Sequence, residues 1–210
     1  MLSWKTWLAL AAIVLAAGLV LLGQPGLEDR LARMEPVLDA ELESRGVHID
    51  PGELLDLIHN LEMRLHILDL RDEAAYNLFH IVGARRITHE QLADRDWARA
   101  LPPRTVFVLV SNGEERAERA WKLLRAHKVQ NLYILAGGIN AWVRAFGDPG
   151  NLRPAPPGCS GDDCRLYEFE AALGGRHPLS DPPAGLASRR DYQKKVEQVG
   201  QRTRKAGGCG

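Results

Sequence analysis

The chain has no excess of charge: 27 Lys and Arg balance 27 Asp and Glu over 210 residues. That balance argues against nucleic acid as the main partner, and no nucleic-acid motif appears. The seven histidines show no paired metal spacing such as His-x-x-x-His. There is no P-loop and no dinucleotide glycine fingerprint, and no internal repeat. No metal or cofactor is therefore expected. Cysteine is scarce, with Cys159, Cys164 and Cys209 only. What is present, 45% hydrophobic residues in 210, suffices for one good core plus appendages.

The N-terminus holds the longest apolar run, residues 7–23, without a charge. At ~1.5 Å per residue it reaches ~25 Å, slightly short of a ~30 Å hydrocarbon core. Trp4 and Trp7 sit where interfacial anchors are expected, with Lys5 between them. No small-x-small cleavage pattern closes the run. The reading is one uncleaved membrane span over residues 1–24, against a cleaved signal or a soluble helix. Lys5 favours a cytoplasmic N-terminus and an extracytoplasmic, periplasmic domain, while Arg30 and Arg33 pull the other way. Residues 25–46 read as a juxtamembrane stalk that packs on the domain, an amphipathic helix from Leu27 interrupted or bent near Pro36; lying on the membrane or pairing with a partner helix are the alternatives.

From there the pattern alternates strand and helix. Val47-His-Ile49 is a short strand. Asp50-Pro51 opens a helix with a cap and a first-turn proline. Leu65 to Leu68 is a strand, Asp72 to Leu78 a short helix, and residues near Ala84 to Ile87 a fifth strand. Thr88-His-Glu-Gln91 starts a helix that runs to about Ala100. Thr105 to Val110 is an apolar, β-branched run suited to a strand buried on both faces of a parallel sheet. Residues from Ala117 to Leu124 fall at helical spacing, and Leu132 to Leu135 is another strand. The fold class predicted is α/β: a mostly parallel sheet of about five strands with helices on both faces.

The pieces Leu68-Asp69-Leu-Arg71, His80-Ile-Val-Gly83-Ala84, Arg116 and Gly137-Gly138-x-x-x-Trp142 stand in one order and spacing. Together they make residues 47–146 resemble the rhodanese family. The family's active loop reads Cys-x-x-x-x-Arg, and counting back from Gly137 puts Ser111 at its cysteine. The resemblance implies a sulfurtransferase-type fold in which Asp69 and Arg71 organise structure near the active loop; a surface or structural ion pair is the other reading of the two. It implies a hydrogen-bonding rather than metal-binding role for His80. It also implies a loop, Ser111, Asn112, Gly113, Glu114, Glu115 and Arg116, that cradles an anion on backbone N–H groups.

Sulfur transfer requires a nucleophile that holds sulfane sulfur as a persulfide. A thiolate does so; a serine hydroxyl does not. No His-Asp partner at recognisable spacing activates Ser111. Glu114 and Glu115 place two carboxylates in the loop, where they are expected to compete with an anion. Ser111-Asn-Gly-Glu114 also matches a helix capping box.

Residues 147–210 form a Pro/Gly-rich linker, or a loop wrapping the domain, and a basic tail. Cys159-Ser-Gly-Asp-Asp-Cys164 admits a local disulfide, which fits an oxidising compartment; free thiols and a metal pair are the alternatives. Residues 165–173 read as a short helix, 178–185 as a loop, and 188–203 as a basic helix that is solvated or meets acidic lipid or a protein. The functional expectation is a membrane-anchored, catalytically degenerate rhodanese-like domain, a pseudoenzyme that binds or scaffolds a protein partner. The alternatives are a sulfur carrier using Cys209, Cys159 or Cys164, and an oxyanion-binding sensor.

Overall fold

The computed structural model describes residues 3–21, 26–169 and 179–196. Cys209, residues 1–2 and 22–24 of the predicted span, residues 170–173 of the predicted short helix and residues 197–203 of the predicted basic helix lie outside them.

Helix α1, Trp4–Leu21, is 18 residues long, ~27 Å. Among the described residues no helix is long and apolar enough to cross a membrane. The expected span over residues 1–24 is thus unsupported. A crossing needs about 20 predominantly apolar residues, and the first turn of α1 contains Lys5 and Thr6. Trp4, Trp7, Leu8, Ile13, Val14 and Leu15 are all exposed.

Helix α2, Leu27–Glu43, continues through Pro36 rather than breaking there. It buries Leu38 and Leu42, with Leu31 and Met34 beside them, against the core. The stalk segment thus packs on the domain through the apolar face its spacing predicts. Strand β1 (His48–Ile49) leads to α3 (Pro51–His59), where Asp50 accepts from Gly52 N at 2.7 Å. Strand β2 (Leu65–Asp69), α4 (Glu73–Leu78), β3 (His80–Ile81) and β4 (Ala84–Arg86) follow. The helix predicted from Thr88 to Ala100 is two helices, α5 (His89–Ala93) and α6 (Arg95–Ala100). Asp94 divides them because its carboxylate accepts from Asp96 N at 2.8 Å, starting a new helix. Then come β5 (Val106–Val110), α7 (Glu115–Ala126), β6 (Leu132–Leu135) and α8 (Gly138–Phe146).

The main sheet has five parallel strands in the order β1-β6-β5-β2-β4. β5 is central, and all five of its residues are buried. Its side chains alternate between faces, as the pleat requires. Phe107 and Leu109 join the core under α2, α5, α6 and α7. Val106, Val108 and Val110 join the core under α3 and α8. Helices therefore cover both faces, and the loop after β5 opens at the carboxyl end of the central strand, where α/β sheets place ligands.

The C-terminal part differs most from expectation. Residues 165–169 are extended, with Tyr167 bridging Leu152, and not helical. The predicted loop at 178–185 contains β7 (Leu179–Ser180), parallel to β3. The predicted helix at 188–203 is replaced, as far as Val196, by the end of a 3₁₀ turn, Ala184–Arg189, and non-helical chain. Side-chain contacts hold that chain across α3: Arg190 donates to Asp50 at 3.0 Å and Tyr192 OH to Asp56 at 2.6 Å. Lys195 N and Val196 N donate to the buried Glu53 at 2.6 and 2.7 Å.

Candidate functional site

Ser111 follows the last residue of β5 and is fully buried. Its Oγ donates to Gly113 O at 2.9 Å. It does not cap α7. The N-cap of that helix is Glu114, without a side-chain cap bond, so the capping box read from the sequence does not form. Its place is taken by residues about fifty positions downstream, which satisfy the N–H groups a cap would have served.

The loop is pinned from behind by α8. Ile139 N donates to Ser111 O at 2.9 Å and Asn140 N to Asn112 O at 3.0 Å. Gly138, at φ +58°, makes this approach feasible: a Cβ there would lie 2.3 to 2.6 Å from the carbonyl oxygens of Gly113, Ser111 and Asn112. Gly137 N donates to Glu114 Oε1 at 2.6 Å. Trp142 is buried, and its Nε1 donates to Ser180 Oγ at 2.8 Å.

In front of the loop lie Asp162 and Asp163. Asp163 accepts from Gly113 N at 2.9 Å and Arg116 N at 2.5 Å. Asp162 accepts from Glu114 N at 2.8 Å and Glu115 N at 3.1 Å. Four successive backbone donors at the start of α7 thus converge on two carboxylates of the same chain. Both belong to the short ring closed by the Cys159–Cys164 disulfide. Gly113 is needed here, because a Cβ on it would fall 2.0 Å from Asp162 O.

Glu114, expected to oppose an anion, is turned away from the cradle to Arg45 and Gly137, whereas the Glu115 carboxylate stays at its edge, within 4.8 Å of those of Asp162 and Asp163. Arg45 donates to both carboxylate oxygens of Glu114, at 2.5 and 2.7 Å. Burial opposes the Glu114 charge, but Arg45 and Gly137 N outweigh it and hold the carboxyl below its usual range. Glu115 receives a hydrogen bond from Arg119 at 2.6 Å. His48, also buried, has Nε2 3.0 Å from Glu118 Oε1. Burial and then the Arg45 charge lower its pKa, despite Glu118 and Glu114.

A buried polar chain joins the remaining motif to the loop. Arg71 donates to Asp69 through Nε at 2.9 Å and Nη2 at 2.6 Å, and to Phe79 O at 2.6 Å. Its Nη1 donates to Tyr167 OH at 2.6 Å. Tyr167 OH donates to Asn112 Oδ1 at 2.6 Å, and Asn112 Nδ2 to Asp163 O at 3.1 Å. Burial works against the Arg71 charge, and Asp69 overcomes it, so the guanidinium pKa is raised. Arg116 Nη1 donates to Leu70 O at 3.3 Å. Asn140 fixes the covering segment, donating to Cys164 O at 2.7 Å and accepting from Leu166 N at 2.9 Å.

The structure therefore brings together Asp69, Arg71, Ser111, Asn112, Gly113, Arg116, Gly137, Gly138 and the Cys159–Cys164 ring. His80 lies apart on β3, with Nδ1 2.9 Å from Tyr76 O and its ring stacked on Tyr76. Gly83 makes the turn before β4 at φ +75°. Sequence reasoning missed Arg45, His48, Asn140, Asp162, Asp163 and Tyr167. Only the Asp-Asp pair offered a signal, being two adjacent acids inside the cysteine ring. Among the described residues two clusters have the composition of a metal site, His48 with Glu114 and Glu118, and Glu115 with Asp162 and Asp163. In the first, Arg45 already neutralises Glu114. In the second, backbone N–H groups hold both aspartates.

Chemically, the loop offers four convergent N–H donors and a buried hydroxyl, with no thiol at position 111. The family profile of the Rhodanese-like domain matches residues 50–145. The chain is 32% identical to the Alr3790 protein of Anabaena sp. in its crystal structure, covering 45% of this chain and 75% of that one, with a TM-score of 0.41. It is 27% identical to the solution structure of the rhodanese-like domain of the same Anabaena protein, covering 59% and 96%, with a TM-score of 0.42. A Rhodopseudomonas palustris protein, RPA3614, described as a possible tyrosine phosphatase, is 20% identical over 58% and 92%, with a TM-score of 0.42. No curated protein matches the chain. The chain belongs to the rhodanese-like family, through a domain at residues 50–145.

Proposed function

We propose that this rhodanese-like domain is catalytically silent in sulfur transfer and serves as a binding module for a protein partner. The observation that carries the reading is the state of the active loop. Ser111 stands at the thiol position, buried and bonded to Gly113 O, and Asp162 and Asp163 hold the loop's anion-binding N–H groups. A hydroxyl cannot carry sulfane sulfur, and a filled cradle leaves no seat for an anionic donor. The test is thiosulfate-to-cyanide transfer by the purified full chain, with no thiocyanate expected above background. Robust transfer would overturn the reading. If that activity then vanished on Cys159→Ser, Cys164→Ser or Cys209→Ser, the chain would be a sulfur carrier.

The proposal includes attachment to a membrane through α1. Its exposed apolar residues surround the helix and find no cover in the described chain, and a helix apolar all round requires burial somewhere. The apolar interior of a membrane would supply that burial. An extracytoplasmic position for the domain is supported by the Cys159–Cys164 disulfide. Protease added to sealed cells whose outer layer is permeable should then digest the domain; protection until the inner membrane is lysed would reverse the orientation.

A further inference from the structure

We infer that the Cys159–Cys164 disulfide is a redox latch. It holds Asp162 and Asp163 as an internal plug in the cradle of residues 113–116, and its reduction opens that cradle to a free oxyanion. The inference goes beyond silence in sulfur transfer, because it concerns what the loop binds and when.

The plug and the latch are one covalent unit. Both carboxylates lie within the ring closed by the disulfide, and between them they take all four convergent donors. Each carboxylate bridges two N–H groups, the arrangement in which successive amides at a helix start hold the oxygens of an anion. Two adjacent carboxylates repel each other, so their joint seating depends on what confines them. The ring supplies that confinement.

The two ends of the ring differ. Cys164 is buried and its carbonyl is fixed by Asn140, whereas Cys159 is exposed. Glycines in the left-handed region, Gly158 at φ +78° and Gly161 at φ +85°, sit beside Cys159 and inside the ring. A dithiol reductant would attack the exposed Cys159 sulfur with one thiolate, and Cys164 would leave and take up a proton. The second thiol of the reductant then resolves the mixed disulfide. Two electrons and two protons pass to the protein, giving two cysteine thiols and an oxidised reductant. Residues 159–163 can then swing on the glycines, while Cys164, Leu166 and Tyr167 stay anchored. The ligand class is a small free oxyanion such as sulfate, which presents its acceptors to the same four N–H groups.

The test uses the full chain, isotope-labelled, with amide exchange and chemical shifts read at Gly113, Glu114, Glu115 and Arg116. Reduction with dithiothreitol is expected to speed exchange at these amides by at least about tenfold while β5 amides stay protected. Sulfate, titrated against chloride at equal ionic strength, is expected to shift these amides in the reduced protein and not in the oxidised one. The double variant Asp162→Ala, Asp163→Ala keeps the disulfide and is expected to bind sulfate without reduction. Unchanged exchange on reduction would overturn the latch, and so would equal sulfate binding by both redox forms. Failure of sulfate to bind both the reduced protein and the folded double variant would overturn the cradle itself. Thiocyanate production plays no part in these readouts, so their failure and the failure of catalytic silence are separable.

Discussion

Restoring a thiol at position 111 puts it at the carboxyl end of β5 but leaves the cradle as it is. Ser111→Cys alone should therefore give at most weak thiosulfate-to-cyanide transfer. Adding Asp162→Ala and Asp163→Ala should raise it at least about tenfold, because the donor anion gains its N–H partners. Of the two carboxylates that the sequence suggested as opposing charges, Glu114 is turned to Arg45 and Gly137, while Glu115 is bonded by Arg119 yet remains within 4.8 Å of Asp162 and Asp163. The misassignment of Glu114 has a physical origin: four residues of loop reveal which charges are near, but not which a partner has drawn aside. A second expectation concerns Arg71. Arg71→Ala strands Asp69 in the interior and should cost about 3–5 kcal/mol in urea unfolding. A cost below about 1 kcal/mol would mean that Asp69 finds water or another donor. A third concerns His48, whose folded pKa is lowered by burial and Arg45 below the ordinary ~6.5. Over the interval between the two pKa values the unfolded chain binds more protons. Stability should therefore fall as pH drops through about 6.5, and level off below the folded pKa. His66 and His127 shift in the same direction. His48→Gln should thus flatten, not abolish, the fall in urea midpoint between about pH 7.5 and pH 5.5; an unchanged slope would assign it to the other two.

Elements with strong local patterns were legible in the sequence. The apolar run at β5, the capped start of α3 and the Gly-Gly opening of α8 each follow from residues within a few positions. Elements defined by distant partners were not. β7 consists of two residues whose strand character comes from β3, about a hundred positions upstream. The basic stretch after Ser188 reads as a polar helix, yet Asp50, Asp56 and Glu53 draw its side chains and amides across α3, and these contacts override local propensity. The cysteine ring belongs to the same class: its spacing was visible, and its seat on the loop was not. Opening that ring with Cys159→Ser and Cys164→Ser should cost about 2 kcal/mol of stability on loop-closure grounds. The cost should appear in the urea midpoint, with the main sheet and its far-ultraviolet signal intact. Loss of the sheet would show that the ring carries more of the fold than its length warrants.

On the scale of the whole molecule, six apolar side chains of α1 are exposed, while residues 148–169 and 179–196 bind the domain closely. Flotation with anionic lipid vesicles should recover the full chain and lose it on deletion of residues 1–24; recovery of the deleted form would move membrane binding to the domain. A chain ended at residue 150 would keep the full family match, yet leave Arg71 without Tyr167 and Glu53 without Lys195 and Val196. It should lose several kcal/mol, about 1–3 for each buried group left unpaired, measured as a lowered urea midpoint. The same pairing has a consequence for synthesis. Glu53 meets its donors 142 and 143 residues later. At about 5–20 residues per second, that separation corresponds to roughly 7–30 s of translation. For that interval the nascent α3 carries a carboxylate that cannot yet be buried with partners. The domain closes only after its last strap has left the ribosome, so a growing chain of this protein needs shelter longest where its family resemblance is already complete.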